Sequence, residues 1–160
     1  MENKKATIFG NGGVAVTMVQ YLLNNGISEI TIVTRNVLKL KTNNSFSSCR
    51  VISYDEVTEI IESDIVVNCT PLGMYPNLDN SPIDRKDIGK FTIAVDMIYN
   101  PKETLFLKYA KEAGLKSVNG LYMLVGQATS AQEIWNDIKI PREIIDDIYE
   151  ELGKGVVNRL

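Results

Sequence analysis

Short apolar runs alternate with longer amphipathic stretches along the chain, and this alternation predicts a sheet covered by helices. Ala6-Thr7-Ile8-Phe9 reads as a first strand. Val14, Ala15, Met18, Val19, Leu22 and Leu23 then recur at helical spacing, with Gly26 placed to stop that helix. The β-branched run Ile30-Thr31-Ile32-Val33 is a second strand, and a polar stretch leads to a weak third strand near Arg50 to Ser53. Asp55 to Glu62 reads as a short helix and Ile65-Val66-Val67-Asn68 as a buried strand. Residues 71–90, rich in proline, glycine and asparagine, read as a loop with at most a helical turn. Thr92 to Val95 is the fifth strand, Lys102 to Ala113 a helix stopped at Gly114, and Lys116-Ser117-Val118 the sixth strand. Helices follow over about 121–136 and 142–152. The expected fold is therefore α/β: a doubly wound, mostly parallel six-stranded sheet with helices on both faces, in one domain over 1–160.

Composition narrows the chemistry. The 160 residues are 44% hydrophobic and 23% charged, as in ordinary globular proteins. With 17 basic and 20 acidic residues the net charge is -3, which gives no electrostatic reason to expect nucleic acid or an acidic membrane as partner. No apolar run approaches the roughly 20 residues of a membrane span, and the first residues carry no signal-peptide core, so the expected location is the cytoplasm. The chain has no histidine and two cysteines, which argues against a histidine acid/base and a catalytic zinc site.

The candidate chemistry starts at Gly10-Asn11-Gly12-Gly13-Val14-Ala15, between the first strand and the first helix. There the first glycine makes a tight turn, the second admits a pyrophosphate close to backbone, and the small third position lets helix and strand pack. The N–H groups of the helix N-terminus then face the phosphates. This placement makes the fold Rossmann-type and the expected ligand a dinucleotide. After the second strand, where an NAD site usually carries a carboxylate, the chain has Thr34-Arg35-Asn36, with Lys39 one turn on. Arg35, helped by Lys39, suits a 2′-phosphate, so the expected cofactor is NADP. Familiar catalytic sets are missing: none of the seven tyrosines has lysine four residues later, and lactate-type enzymes need a histidine.

Further segments bring in a resemblance. The glycine turn and Thr34-Arg35-Asn36 are similar to the cofactor motifs of shikimate dehydrogenases. More specific are the stretches Asp64 to Met74 (DIVVNCTPLGM), Asp96 to Thr104 (DMIYNPKET) and Asn119 to Ala128 (NGLYMLVGQA). Together they resemble that family over nearly the whole length. The resemblance implies a two-domain oxidoreductase of aromatic amino-acid biosynthesis that reversibly reduces 3-dehydroshikimate to shikimate with NADPH. It places Thr70, Met97, Gly120, Met123 and Leu124 at the nicotinamide, and Tyr99 and Gln127 at the substrate. Asp96 is read as structural and Cys69 as a small buried group. Thr34, Tyr122 and Gln132 depart from the family pattern, and Tyr122 is expected to narrow the nicotinamide pocket or to alter the choice of substrate. The family's N-terminal domain, which carries the catalytic Lys–Asp pair, has no counterpart in this sequence. The expectation is thus a cofactor half that contains no catalytic residue and binds NADPH without turning over shikimate. Its exposed interdomain face would be open to homodimer formation. Two alternatives remain, a non-catalytic NADP-binding module and the cofactor domain of a quinate-using relative.

Overall fold

The computed structural model describes residues 1–60 and 63–155. Among the described residues six strands form one sheet: β1 (Lys5–Phe9), β2 (Glu29–Val33), β3 (Arg50–Ile52), β4 (Ile65–Asn68), β5 (Ile93–Asp96) and β6 (Lys116–Val118). Their order is β3-β2-β1-β4-β5-β6, and every neighbouring pair is parallel. The chain moves outward from β1 to β3, then returns to place β4 on the other side of β1. This reversal opens a crevice at the carboxyl ends of β1 and β4, where ligands of doubly wound sheets bind.

Strand alternation divides the core between two faces. Ala6, Ile8, Ile30, Ile32, Ile65 and Val67 point to one side, where Ala15, Val19 and Leu22 of helix α1 (Gly13–Asn24) cover them. Leu40 of the short helix α2 (Val37–Lys41) and Phe46 complete that layer. Phe9, Val33, Val66 and Ala94 point the other way, against Phe106, Leu107 and Ala110 of α3 (Leu105–Glu112). Phe9, Ile8, Val66 and Phe106 are fully buried, each contributing about 1.5–3 kcal/mol relative to exposure. Helix α4 (Leu121–Asn136) follows β6, and α5 (Arg142–Gly155) folds back along α4. That return is fixed by Tyr122, whose hydroxyl donates to Asp146 at 3.0 Å and whose ring meets Tyr149 edge-on at 5.3 Å.

Several elements differ from the sequence-based expectation. The sheet is wholly parallel. The helix expected over Asp55 to Glu62 is a 3-10 helix over Tyr54–Glu59, set by a reciprocal cap between Ser53 and Glu56; Ile61 and Glu62 lie outside the described residues. Helix α3 begins at Leu105 because the Thr104 side chain accepts the Leu107 N–H and acts as its N-cap. The polar stretch after β2 contains α2 and a 3-10 turn (Asn44–Phe46), capped by the side chains of Asn36 and Asn43. Among the described residues, no helix is long and apolar enough to cross a membrane.

Candidate functional site

Gly10 stands where β1 leaves the sheet, with φ at +101°, its N–H donating to Val33 O at 3.0 Å. A Cβ there would lie 2.8 Å from the carbonyl oxygen of Cys69, so only glycine fits between the ends of β1 and β4. Gly12 is the N-cap of α1 and offers no side-chain cap, and no acidic residue stands in the first turn. Open space lies in front of Gly12 and Gly13. The leading N–H groups of α1 therefore meet solvent at the positive end of the helix dipole, as an anion site requires.

A cleft of about 700 Å³ opens over this turn. It brings together Gly10, Asn11, Gly12, Thr34, Arg35, Asn36, Lys39 and Thr70 from the sequence-based set, with Val33, Tyr54, Cys69, Pro71 and Leu72. Arg35 and Lys39 are exposed, and among the described residues neither is ion-paired to a carboxylate. Among the described residues, no Asp or Glu lines the cleft. Uncapped N–H groups, side-chain-free backbone and two exposed cations fit a dinucleotide carrying an extra phosphate. A smaller hollow of about 330 Å³ lies at the amino ends of the strands, lined by Lys5, Glu29 and Glu59, away from the glycine turn.

The segment after β2 is held from within. The buried Thr34 donates its N–H to Ile52 O at 3.0 Å, and its hydroxyl accepts the Asn36 N–H at 3.3 Å. The Asn36 side-chain oxygen accepts the Lys39 N–H at 3.0 Å. Thr34 thus fixes the loop that presents Arg35. Tyr54, unanticipated from sequence, stands against Phe9 with ring centroids 5.8 Å apart. Burial raises its phenol pKa, and the charge of Arg35 works in the opposite direction.

A second group of side chains lies where β4 and β5 end. Asn68 and Asp96 pair across the two strands and are both fully buried. The Asp96 carboxylate accepts from the Asn68 amide at 3.0 Å, the Ile98 N–H at 3.0 Å and the Thr104 hydroxyl at 2.5 Å. Burial pushes Asp96 up to about 6 despite those three donors. Cys69 is pushed up to about 12 by burial and then by the charge of Asp96, so its thiol stays protonated and is no nucleophile.

The remaining predicted residues do not line the cleft. Gly13 faces open space beside it. Met97 is half-buried and Tyr99 exposed, both just beyond β5. Met123 and Leu124 are half-buried and Gln127 exposed on α4. Gly120 is buried, and a Cβ there would fall 2.3 Å from the Met97 carbonyl oxygen. Its lack of a side chain is explained by this backbone contact, without any ligand. The expectation for Tyr122 is corrected, since its side chain turns toward α5.

Strand order, the glycine turn at the switch point and helices on both faces define a Rossmann-type α/β domain. The sequence matches the profile of the shikimate/quinate 5-dehydrogenase family over residues 1–96, and the chain belongs to that family. A shikimate dehydrogenase (NADP(+)) from Clostridium perfringens is 43% identical over 152 residues, covering 95% of this chain and 56% of that protein. A chorismate mutase/shikimate 5-dehydrogenase fusion protein from Clostridium acetobutylicum superposes with a TM-score of 0.93 at 48% identity, over 98% of this chain and 57% of that one. Shikimate 5-dehydrogenase from Thermus thermophilus, solved with NADP(H) and shikimate, gives 0.75 at 26% identity, over 91% and 54% of the two chains. The chain therefore spans little more than half the length of these relatives.

Proposed function

We propose that this chain is the NADP(H)-binding part of a cytoplasmic shikimate dehydrogenase. The observation that carries the reading is the cleft at the β1/β4 switch point, where Arg35 and Lys39, ion-paired to no carboxylate among the described residues, stand beside the uncapped N-terminus of α1. Gly12, Gly13 and the first turn of α1 hold the pyrophosphate through N–H groups, and Asn11 closes over it. Arg35, seconded by Lys39, holds the 2′-phosphate, while Thr34 and Asn36 keep that loop in shape. Thr70, Met97, Gly120, Met123 and Leu124 form the nicotinamide side, and Tyr99 and Gln127 reach the substrate. When bound, the nicotinamide carries the hydride exchanged with shikimate.

The proton exchanged in the same reaction needs an acid/base. Among the described residues no carboxylate lines the cleft, and Asp96 is enclosed by three donors. We assign acid/base work to the part of the parent enzyme that this chain does not span. Orientation across a complete cleft contributes about 7–11 kcal/mol to lowering a barrier. The chain alone is then a binder without useful turnover. Its exposed apolar surface at the end of α4 and along α5 is covered in the parent by the remaining domain, and in the isolated chain by a second copy.

Calorimetric titration tests the cofactor assignment. NADPH is expected to bind at least tenfold more tightly than NADH, since a charge-assisted contact is worth about 1.5–3 kcal/mol. Arg35→Ala should remove most of that difference. Equal affinities in the unsubstituted chain would refute the assignment. Shikimate with NADP+ should give no reduced nicotinamide until the missing domain is added; failure to rescue with that domain would favour a non-catalytic module, and rescue by quinate alone a quinate-using relative.

A further inference from the structure

The buried polar groups at the carboxyl edge of the sheet form one connected string. Thr70, in the cleft, donates both its N–H (3.0 Å) and its hydroxyl (2.7 Å) to the side-chain oxygen of Asn68. The Asn68 amide nitrogen donates to Asp96 Oδ1 at 3.0 Å and to Leu72 O at 3.2 Å. Asp96 Oδ1 also accepts the Ile98 N–H, and Ile98 O accepts the Gly120 N–H at 3.0 Å. The other oxygen, Oδ2, takes the Thr104 hydroxyl, which caps α3. One string thus ties together the segments that follow β4, β5 and β6.

Every polar atom of Asn68 is engaged, and the residue is fully enclosed. Because the Thr70 hydroxyl hydrogen is committed to Asn68, it is not available to a ligand. The Thr70 methyl instead lies toward the glycine turn: a Cβ on Gly10 would be 3.2 Å from it. A strand-end asparagine that holds Thr70 and Leu72 on one side and the buried Asp96 carboxylate on the other has two separable effects here. It orders the Thr70–Leu72 wall of the cleft, and it fixes that wall relative to Met97, Tyr99 and the start of α4.

Resting on the cofactor reading above, we infer that Asn68 and Asp96 are a positioning pair that sets the nicotinamide-side half of the cleft. They touch no ligand and leave the adenosine half, built on Arg35 and the segment after β2, unaffected. The adenosine end is held through β2 and β3, on the far side of β1 from this string. Loss of the pair should therefore be felt only by a ligand long enough to reach past Thr70.

Two ligands separate these effects: NADPH, and adenosine 2′,5′-bisphosphate, which has the 2′-phosphate and adenine but no nicotinamide. Asn68→Ala should weaken NADPH about tenfold, the scale of one lost buried hydrogen-bond set, and leave the bisphosphate within about twofold. Thr70→Val, a smaller change that replaces the hydroxyl by a methyl group, should give the same selective loss if Asn68→Ala does not fold. Asp96→Asn retains an oxygen for Ile98 and Asn68 and should recover most of the NADPH affinity lost in Asp96→Ala. Equal loss for both ligands, or unchanged NADPH binding in Thr70→Val, overturns the inference. If the unsubstituted chain binds NADPH but not the bisphosphate, the 2′-phosphate assignment fails; if it binds neither, the cofactor reading falls and this inference with it.

Discussion

Asp96 shows how one side chain can serve architecture at a cost set by pH. Its ordinary value of 3.8 rises to about 6 in the folded chain, because burial outweighs three donated hydrogen bonds. Below about 3.8 the group is protonated in both states and its contribution to stability is fully present. As pH climbs through 6 the folded chain must bury a charge, and that contribution is lost. The shift corresponds to roughly 3 kcal/mol. Chemical denaturation of the unsubstituted chain and Asp96→Asn between about pH 4 and 7 should therefore show the variant gaining roughly 3 kcal/mol relative to the unsubstituted chain as pH rises. A difference independent of pH would mean that Asp96 titrates normally in the fold. At this scale the sequence was readable where a local rule forces a residue type. The glycine turn and the Thr34-Arg35-Asn36 segment are of this kind, since each is continuous in sequence and shaped by its own backbone. Tyr54 escaped because its value lies in standing beside Phe9 and Arg35, which are distant in sequence. The hydrogen-bond string escaped for the same reason: Asn68 and Asp96 meet only once β4 and β5 pair in register.

Among elements, α4 carries a contrast that sequence alone does not reveal. Gly120 and Gly126 look alike in the chain, yet a Cβ on the first would fall 2.3 Å from the Met97 carbonyl oxygen, whereas a Cβ on the second would meet open space. Gly120→Ala must push the start of α4 away from β5 and should cost about 1–3 kcal/mol, as overpacking does. For a domain of this size that lowers Tm by roughly 2–12 °C. Gly126→Ala, inside the same helix, should raise stability by up to about 1 kcal/mol through helix propensity. Thermal unfolding of the two variants checks the sign of each, and a destabilised Gly126→Ala would contradict the open space at that position. Strands and long helices were legible because their apolar periodicity persists over several residues. Short elements were not: α2 and the 3-10 helices depend on caps from Asn36, Asn43 and the Ser53–Glu56 pair, which outweigh weak periodicity. Helix α3 starts later than its pattern suggested because Thr104 is held by Asp96 and becomes a cap.

For the molecule as a whole, the informative surface is the apolar end of α4. Ile134 is 80% exposed and Trp135, the sole tryptophan, 75%, with Ile138 close behind in sequence. Exposed apolar groups clustered in this way mark surfaces that another protein body covers. Dilution should shift Trp135 emission toward that of a fully hydrated indole, with a parallel fall in mass by sedimentation, as paired copies separate. Emission and mass that do not vary with concentration would rule out self-association through this surface. The all-parallel sheet has a further consequence, for how the chain reaches its fold. Among the described residues no strand is paired through a hairpin, and the central strand β1 finds one of its partners only at Ile65–Asn68, about sixty positions later. Loop closure of that length comes before the contacts that reward it, which slows folding relative to helical bundles of similar size. The β1-β2-β3 half can assemble as soon as Ile52 exists, but it presents a bare edge of β1 until β4 arrives. A newly made chain thus passes through an interval with one edge of its central strand unpaired, when strand-edge association between molecules competes with folding.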